Sequence, residues 1–253
     1  MIAVVARNTF REARRDRVLA GALCAGGVLL AATQLLSPLA LGEGHRLTVD
    51  LGLSGITILG VMIVVLVGAS LVSKEIERRT VYSLLSRPIA RHEYLVGKWA
   101  GLAATLWVLV VAMGLALWGV MALRGHGGHG PAILQAVYMA GLELNVVTAF
   151  AVLFSSLSSP VLSALFTVAL YVVGQWSYDL RGFAAKFPPV AARACELTAN
   201  IVPNLPVFNM RALASAGQTT SFVHLGVATA YAAVYCACAL CLAAAAFERR
   251  DFK

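Results

Sequence analysis

Five stretches of this chain run for a helix's length or more without a charged residue: Val18–Gly42, Leu51–Ser73, Trp99–Leu123, Leu144–Tyr178 and Ala212–Phe247. A helix needs about 20 apolar residues, each rising 1.5 Å, to cross the hydrocarbon of a bilayer. The first three stretches provide one such span each. The fourth, 35 residues long, is too long for one and carries "SSLSSP" at Ser155–Pro160. A turn is predicted there, dividing a span at about Ala132–Phe154 from another at about Val161–Tyr178. The last span falls at roughly Val223–Phe247. The expectation is one all-α, polytopic membrane domain of six transmembrane helices over residues 1–253. Composition agrees: 60% of the 253 residues are hydrophobic and only 13% charged, about half the charged share of a soluble domain. The mean hydropathy is +0.81. Solvent for such a surface is lipid.

The net charge of +8 would suggest nucleic acid on a soluble protein. Here the arginines flank apolar runs, so topology explains them better, and no nucleic-acid partner is expected. With both termini inside, the inner segments hold 14 Lys and Arg and the outer ones 6. That bias predicts a multi-pass protein of the bacterial inner membrane with both termini cytoplasmic. The N-terminal stretch is too long and too charged for a cleaved leader. The five cysteines form no disulfide framework.

Residues 1–16 read as an interfacial helix. Ile2, Val5, Ala6, Thr9, Phe10 and Ala13 share one face, and Arg7, Asn8, Arg11, Arg14 and Arg15 the other. The arginines suit lipid head groups or a protein partner, and a bare topology signal with no partner accounts for them equally well. Residues 73–98, "SKEIERRTVYSLLSRPIARHEYLVGK", lie between the second and third spans. Ile76, Val81, Leu84 and Leu85 form an apolar arc opposite Glu75, Arg78, Arg79 and Tyr82. Pro88 ends that helix near Arg87, and a second begins at about Arg91 and runs into the third span. An anionic lipid surface accounts for the basic charge but disfavours the two acids, Glu75 and Glu77. A protein interface suits the whole set, Tyr82 included.

This segment resembles the cytoplasmic segment of type-2 ABC exporter permeases, including the permease of nitrous oxide reductase maturation systems. The shared pattern is an acidic pair, Glu75 and Glu77, then a short helix, Pro88-Ile89-Ala90-Arg91, and Val96-Gly97-Lys98. The resemblance implies a dimeric permease, as homo- or heterodimer, coupled to two copies of a separate cytoplasmic ATPase that holds ATP and Mg. Coupling would run through Glu75, Glu77, Arg78, Arg79, Tyr82, Arg87, Pro88, Arg91, Gly97 and Lys98.

Between spans five and six, residues 179–222 are too polar and Pro-rich to span. Two short outer helices are expected. Pro188-Pro189 opens one that Pro203 ends, and Asn204 caps another that Gly217 ends. The resemblance implies a lid over the path, with Pro203, Asn204 and Pro206 as gate residues beside Glu143. Glu143 is the one acid deep in a span, where a charge costs about 2.5–3.5 kcal/mol. Gln34 or Gln175 could partner it, and a path role and a structural role are equally open. His126 and His129 in "RGHGGHG" lack a third ligand nearby in sequence, so an exposed turn is expected and no metal. Cys236 and Cys238 face different ways on a helix and read as packing residues.

No G-x-x-x-x-G-K-[ST] loop, H-E-x-x-H or G-x-S-x-G occurs. The chain therefore reads as no enzyme in itself, with ATP hydrolysis left to a partner and no cofactor of its own. A proton-coupled secondary transporter and a passive membrane scaffold are the competing readings.

Overall fold

Among the described residues the apolar pattern folds almost entirely as helix. The structure, a computed structural model, describes residues 2–15, 18–37, 43–69, 71, 91–178, 193 and 201–248. The N-terminal amphipathic pattern forms α1, Ile2–Arg15. The first apolar run forms α2, Val18–Leu36. Helix α3, Gly44–Ile63, continues into a π-turn at Val64–Gly68. Helix α4, Arg91–Leu123, is 33 residues long, so the short helix expected from Arg91 and the third span are one unbroken element.

A 3-10 turn at Gly127–His129 leads into α5, Gly130–Leu157. Pro131 sits in its first turn, where a missing N–H costs no hydrogen bond. The chain breaks at Ser158 and Ser159, as the serine-rich stretch predicts, and α6 opens on Pro160 and runs to Gln175. A 3-10 turn at Leu205–Phe208 and the short α7, Arg211–Ser215, precede α8, Phe222–Glu248.

Two expectations change. Among the described residues, five helices rather than six are long and apolar enough to cross a membrane. The sequence suggests a fifth span reaching Tyr178, but α6 has 16 residues and ends at Gln175. That is about 24 Å of helix against about 30 Å of hydrocarbon. The second span begins earlier than its charge-free run, at Gly44 rather than Leu51. Its first turns carry His45, Arg46 and Asp50.

Helix α5 is the axis of the bundle. It packs against α3, α4, α6 and α8, and Met139, Leu144, Val146, Val147, Ala149 and Val152 are fully buried along it. The opposite case is α6, which leaves Val161, Leu162, Leu165, Phe166, Val168 and Val172 exposed. Phe166 keeps one ring contact, to Phe154 of α5 at 5.7 Å, and the rest of that face is turned outward. Tyr94, near the start of α4, stacks at 6.4 Å on Phe247, near the end of α8. The starts of α4 and α6 and the end of α8 therefore share one end of the bundle with α1. The starts of α3, α5 and α8 share the far end.

Candidate functional site

Two places assemble polar chemistry inside this apolar bundle. The first is where α1 docks on α4. Thr9 and Ala13 of α1 are buried there, so the predicted apolar face meets protein and not lipid alone. Arg7 and Arg11 on the other face are exposed, and Phe10 is half-buried. The docking depends on two glycines one helical turn apart, Gly97 and Gly101. A Cβ on Gly97 would lie 2.7 Å from Cβ of Val5, and one on Gly101 would lie 2.5 Å from the carbonyl oxygen of Ala6. Only small residues let two helix backbones approach this closely. Beside them the buried Lys98 reaches Glu12 of α1 at 3.8 Å and lies over the Tyr94 ring at 5.8 Å. Gly97 and Lys98, read in the sequence as the tail of the coupling pattern, are thus the seat of the N-terminal helix.

Glu75, Glu77, Arg78, Arg79, Tyr82, Arg87 and Pro88 lie outside the described residues. Arg91 is the first residue of α4 and Arg14 lies in α1.

The second place is mid-bundle. Glu143 stands 13 residues into α5 and Thr57 13 residues into α3, each about 20 Å from the far end. Gln175, where α6 stops, donates its side-chain amide to Oε1 of Glu143 at 2.5 Å. The other candidate partner, Gln34, instead donates to the carbonyl of Leu30.

Beyond α6 the segment from Ile201 to Ser215 folds back into the bundle. A Cβ on Gly174 would lie 2.8 Å from Leu205, and Leu205, Phe208 and Met210 are buried. Non-helical backbone at this depth needs partners from protein. The N–H of Asn204 donates to the Tyr231 hydroxyl at 2.8 Å, and Ser177 donates to Oδ1 of Asn204 at 3.0 Å. Asn204 was expected to cap a helix. Its side chain makes no cap, because a 3-10 turn follows it and its oxygen is engaged by Ser177. Pro203 is buried and Pro206 half-buried. The other expected outer helix, from Pro188-Pro189, lies mostly outside the described residues.

Arg211 closes this second place. It donates to Oγ1 of Thr57 at 3.4 Å, and among the described residues it is the cation whose field reaches Glu143. This role is not legible in the sequence, because nothing local relates Arg211 to residues 57 and 143. The space left among Thr57, Glu143, Gln175 and Arg211 is about 10 Å³, the least that a single water needs. The arrangement is a closed polar junction of acid, amide, hydroxyl and guanidinium across three helices and the re-entrant segment.

His126 and His129 do not stand alone at the far end, for His45 of α3 packs against both. Among the described residues no three His, Cys, Asp or Glu side chains converge on a metal position.

Compared with known protein families, residues 3–252 match the family model of the ABC-2 family transporter protein. None of the curated proteins matches the chain.

Proposed function

Since the chain belongs to the ABC-2 transporter family, which makes it a multi-pass permease of an ABC-type transporter, we propose that it exports its substrate as one half of a dimeric path. The kinship with nitrous oxide reductase maturation permeases is part of this proposal. Two copies of a cytoplasmic ATPase subunit, holding ATP and Mg, would dock on residues 73–98, and the end of the bundle that carries α1 would face the cytoplasm of a bacterial inner membrane. The exposed apolar face of α6 offers a surface for a second copy or for lipid.

One observation carries the reading. The docking pattern runs directly into α4, and α4 is joined to α1 through Gly97, Gly101 and the Lys98–Glu12 pair. A push on residues 73–98 would therefore move α4 and α1 together. Helix α4 also packs along α5, which carries Glu143, so the same push reaches the closed junction. We assign Glu143, Pro203, Asn204 and Pro206 to the gate, with Arg211 as its fifth member.

The test is co-purification from native membranes in mild detergent. The expected result is recovery of an ATPase bearing a phosphate-binding loop in roughly equal amount, lost in Glu75→Lys and Glu77→Lys. Retention of that subunit with normal ATP turnover in both variants would refute the docking assignment. The buried carboxyl of Glu143 supports a second reading, proton-coupled transport without an ATPase. Proton-driven uptake by the purified chain in vesicles lacking ATP would favour it.

A further inference from the structure

The far end holds a cluster that the transport reading does not use. His45 in the first turn of α3 stacks on His126 of the α4–α5 connection, with ring centroids 4.9 Å apart and planes within 7°. His129 closes the triangle at 5.8 Å from His45 and 5.9 Å from His126, edge-on to both. These rings join three parts of the fold. His126 is fixed to its own turn by a 3.1 Å hydrogen bond between Nδ1 and the carbonyl of Arg124. His129 lies against Gly217, where the re-entrant segment leaves the bundle. A Cβ on Gly217 would sit 2.7 Å from Cδ2 and Nε2 of His129. Gly217 also has a φ of 70°, a conformation that a side chain disfavours.

We propose that the His45–His126–His129 cluster is a proton-operated latch that holds the re-entrant segment closed when its rings are neutral and releases it in acid. Parallel stacking at this distance suits uncharged imidazoles. Protonation would place like charges within 6 Å of one another, and like charges at that range repel. The surrounding groups do not offset a second charge. Among the described residues Glu43 is the one carboxylate facing His45, and it is paired to Arg46 at 3.0 Å. Arg46 and Arg124 are themselves cations, and Arg124 is turned to Ser37.

Histidine is the side chain whose ordinary titration spans pH 5 to 8. A contact that requires neutral rings is therefore kept where the rings are uncharged and is lost as pH falls. The ligand is the proton, and the element it biases is the segment from Ile201 to Gly217.

The latch rests on the reading of that segment as a gate, but its test does not depend on the ATPase. Amide hydrogen exchange of the full chain in phosphatidylcholine nanodiscs, with EDTA present and rates corrected for intrinsic pH dependence, would be compared at pH 7.5 and 5.0. Residues 201–221 and 124–130 are expected to lose protection several-fold at pH 5.0, while α5 keeps its own. The His45→Gln/His126→Gln/His129→Gln variant should show no such pH response, and His126→Lys should show the loss already at pH 7.5. Equal protection at both pH values in the native chain would overturn the latch, as would a response that survives in the triple variant. A response seen only after zinc is added would overturn it too, making the cluster a metal site. Failure of the ATPase to co-purify would leave these outcomes unchanged.

Discussion

Gln175 ends α6 at the point where its amide meets the carboxyl of Glu143 on α5. A helix too short to cross the bilayer thus stops where a buried acid needs a donor.

This contact separates two substitutions. Glu143→Ala strands the Gln175 amide in an apolar setting, which costs about 1–3 kcal/mol. Glu143→Gln keeps an acceptor and should unfold within a few degrees of the native chain. If the acid serves the gate, Glu143→Gln should still depress transport and the ATP turnover it drives. Thermal unfolding beside turnover in the reconstituted complex checks both, and normal turnover in Glu143→Gln would make the contact purely structural.

The seat of α1 predicts a contrast among glycines of one helix. Gly101→Val drives a side chain into Ala6 and Thr9, and overpacking of this kind costs about 1–3 kcal/mol. Gly119→Ala lies in the same helix with nothing within 4 Å and should be neutral or slightly stabilising. Trypsin cleavage at the exposed Arg7 and Arg11 should accelerate in the first variant and not in the second.

Lys98 and Glu12 are unequal partners, with side chains 4% and 57% exposed. Glu12→Gln should cost under about 1 kcal/mol, since solvent screens its side of the pair. Lys98→Glu places two like charges together on a buried seat and should loosen α1 far more. The swap Lys98→Glu/Glu12→Lys should recover part of that loss. Melting temperatures of the native chain, Lys98→Glu, Glu12→Lys and the swap form the cycle, and additive effects would mean that the two residues do not interact.

Gly217 and Gly125 both have positive φ, 70° and 81°. Alanine in either place costs about 1–2 kcal/mol from backbone handedness. Only Gly217→Ala also meets a neighbour, the His129 ring. It should expose residues 201–221 to protease, whereas Gly125→Ala should not. Equal exposure in both would remove the packing argument.

The sequence made the bundle legible where apolar period and length agree. The run from Val18 as far as Leu36, the run at 99–123, the break at Ser158–Ser159 and the amphipathic face of α1 fold as their patterns predict. The second span opens before its charge-free run because its first turns are charged. His45, Arg46 and Asp50 sit in its opening turns, where polar side chains still reach the far-end surface. The fifth was set too long because Trp176 and Tyr178 are apolar enough to continue a span, and hydropathy does not register that a folded-back segment covers the end of α6. Glu143 was visible as an isolated acid. Arg211 and His45 were not, because they act across 68 and 81 residues of sequence, on Glu143 and His126, and such distances carry no local period.

The π-turn at Val64–Gly68 has a geometric consequence for the chain beyond it. A π-turn takes up one more residue than an α-turn does over a similar rise. Each residue of an α-helix advances the chain by about 100°. Ala69 and Leu71 therefore leave the second span about a quarter-turn or more out of phase with the face that α3 presents to α5. The five residues act as a phase shifter: the side of the helix that α3 keeps for the packed core is not the side on which Ala69 and Leu71 emerge.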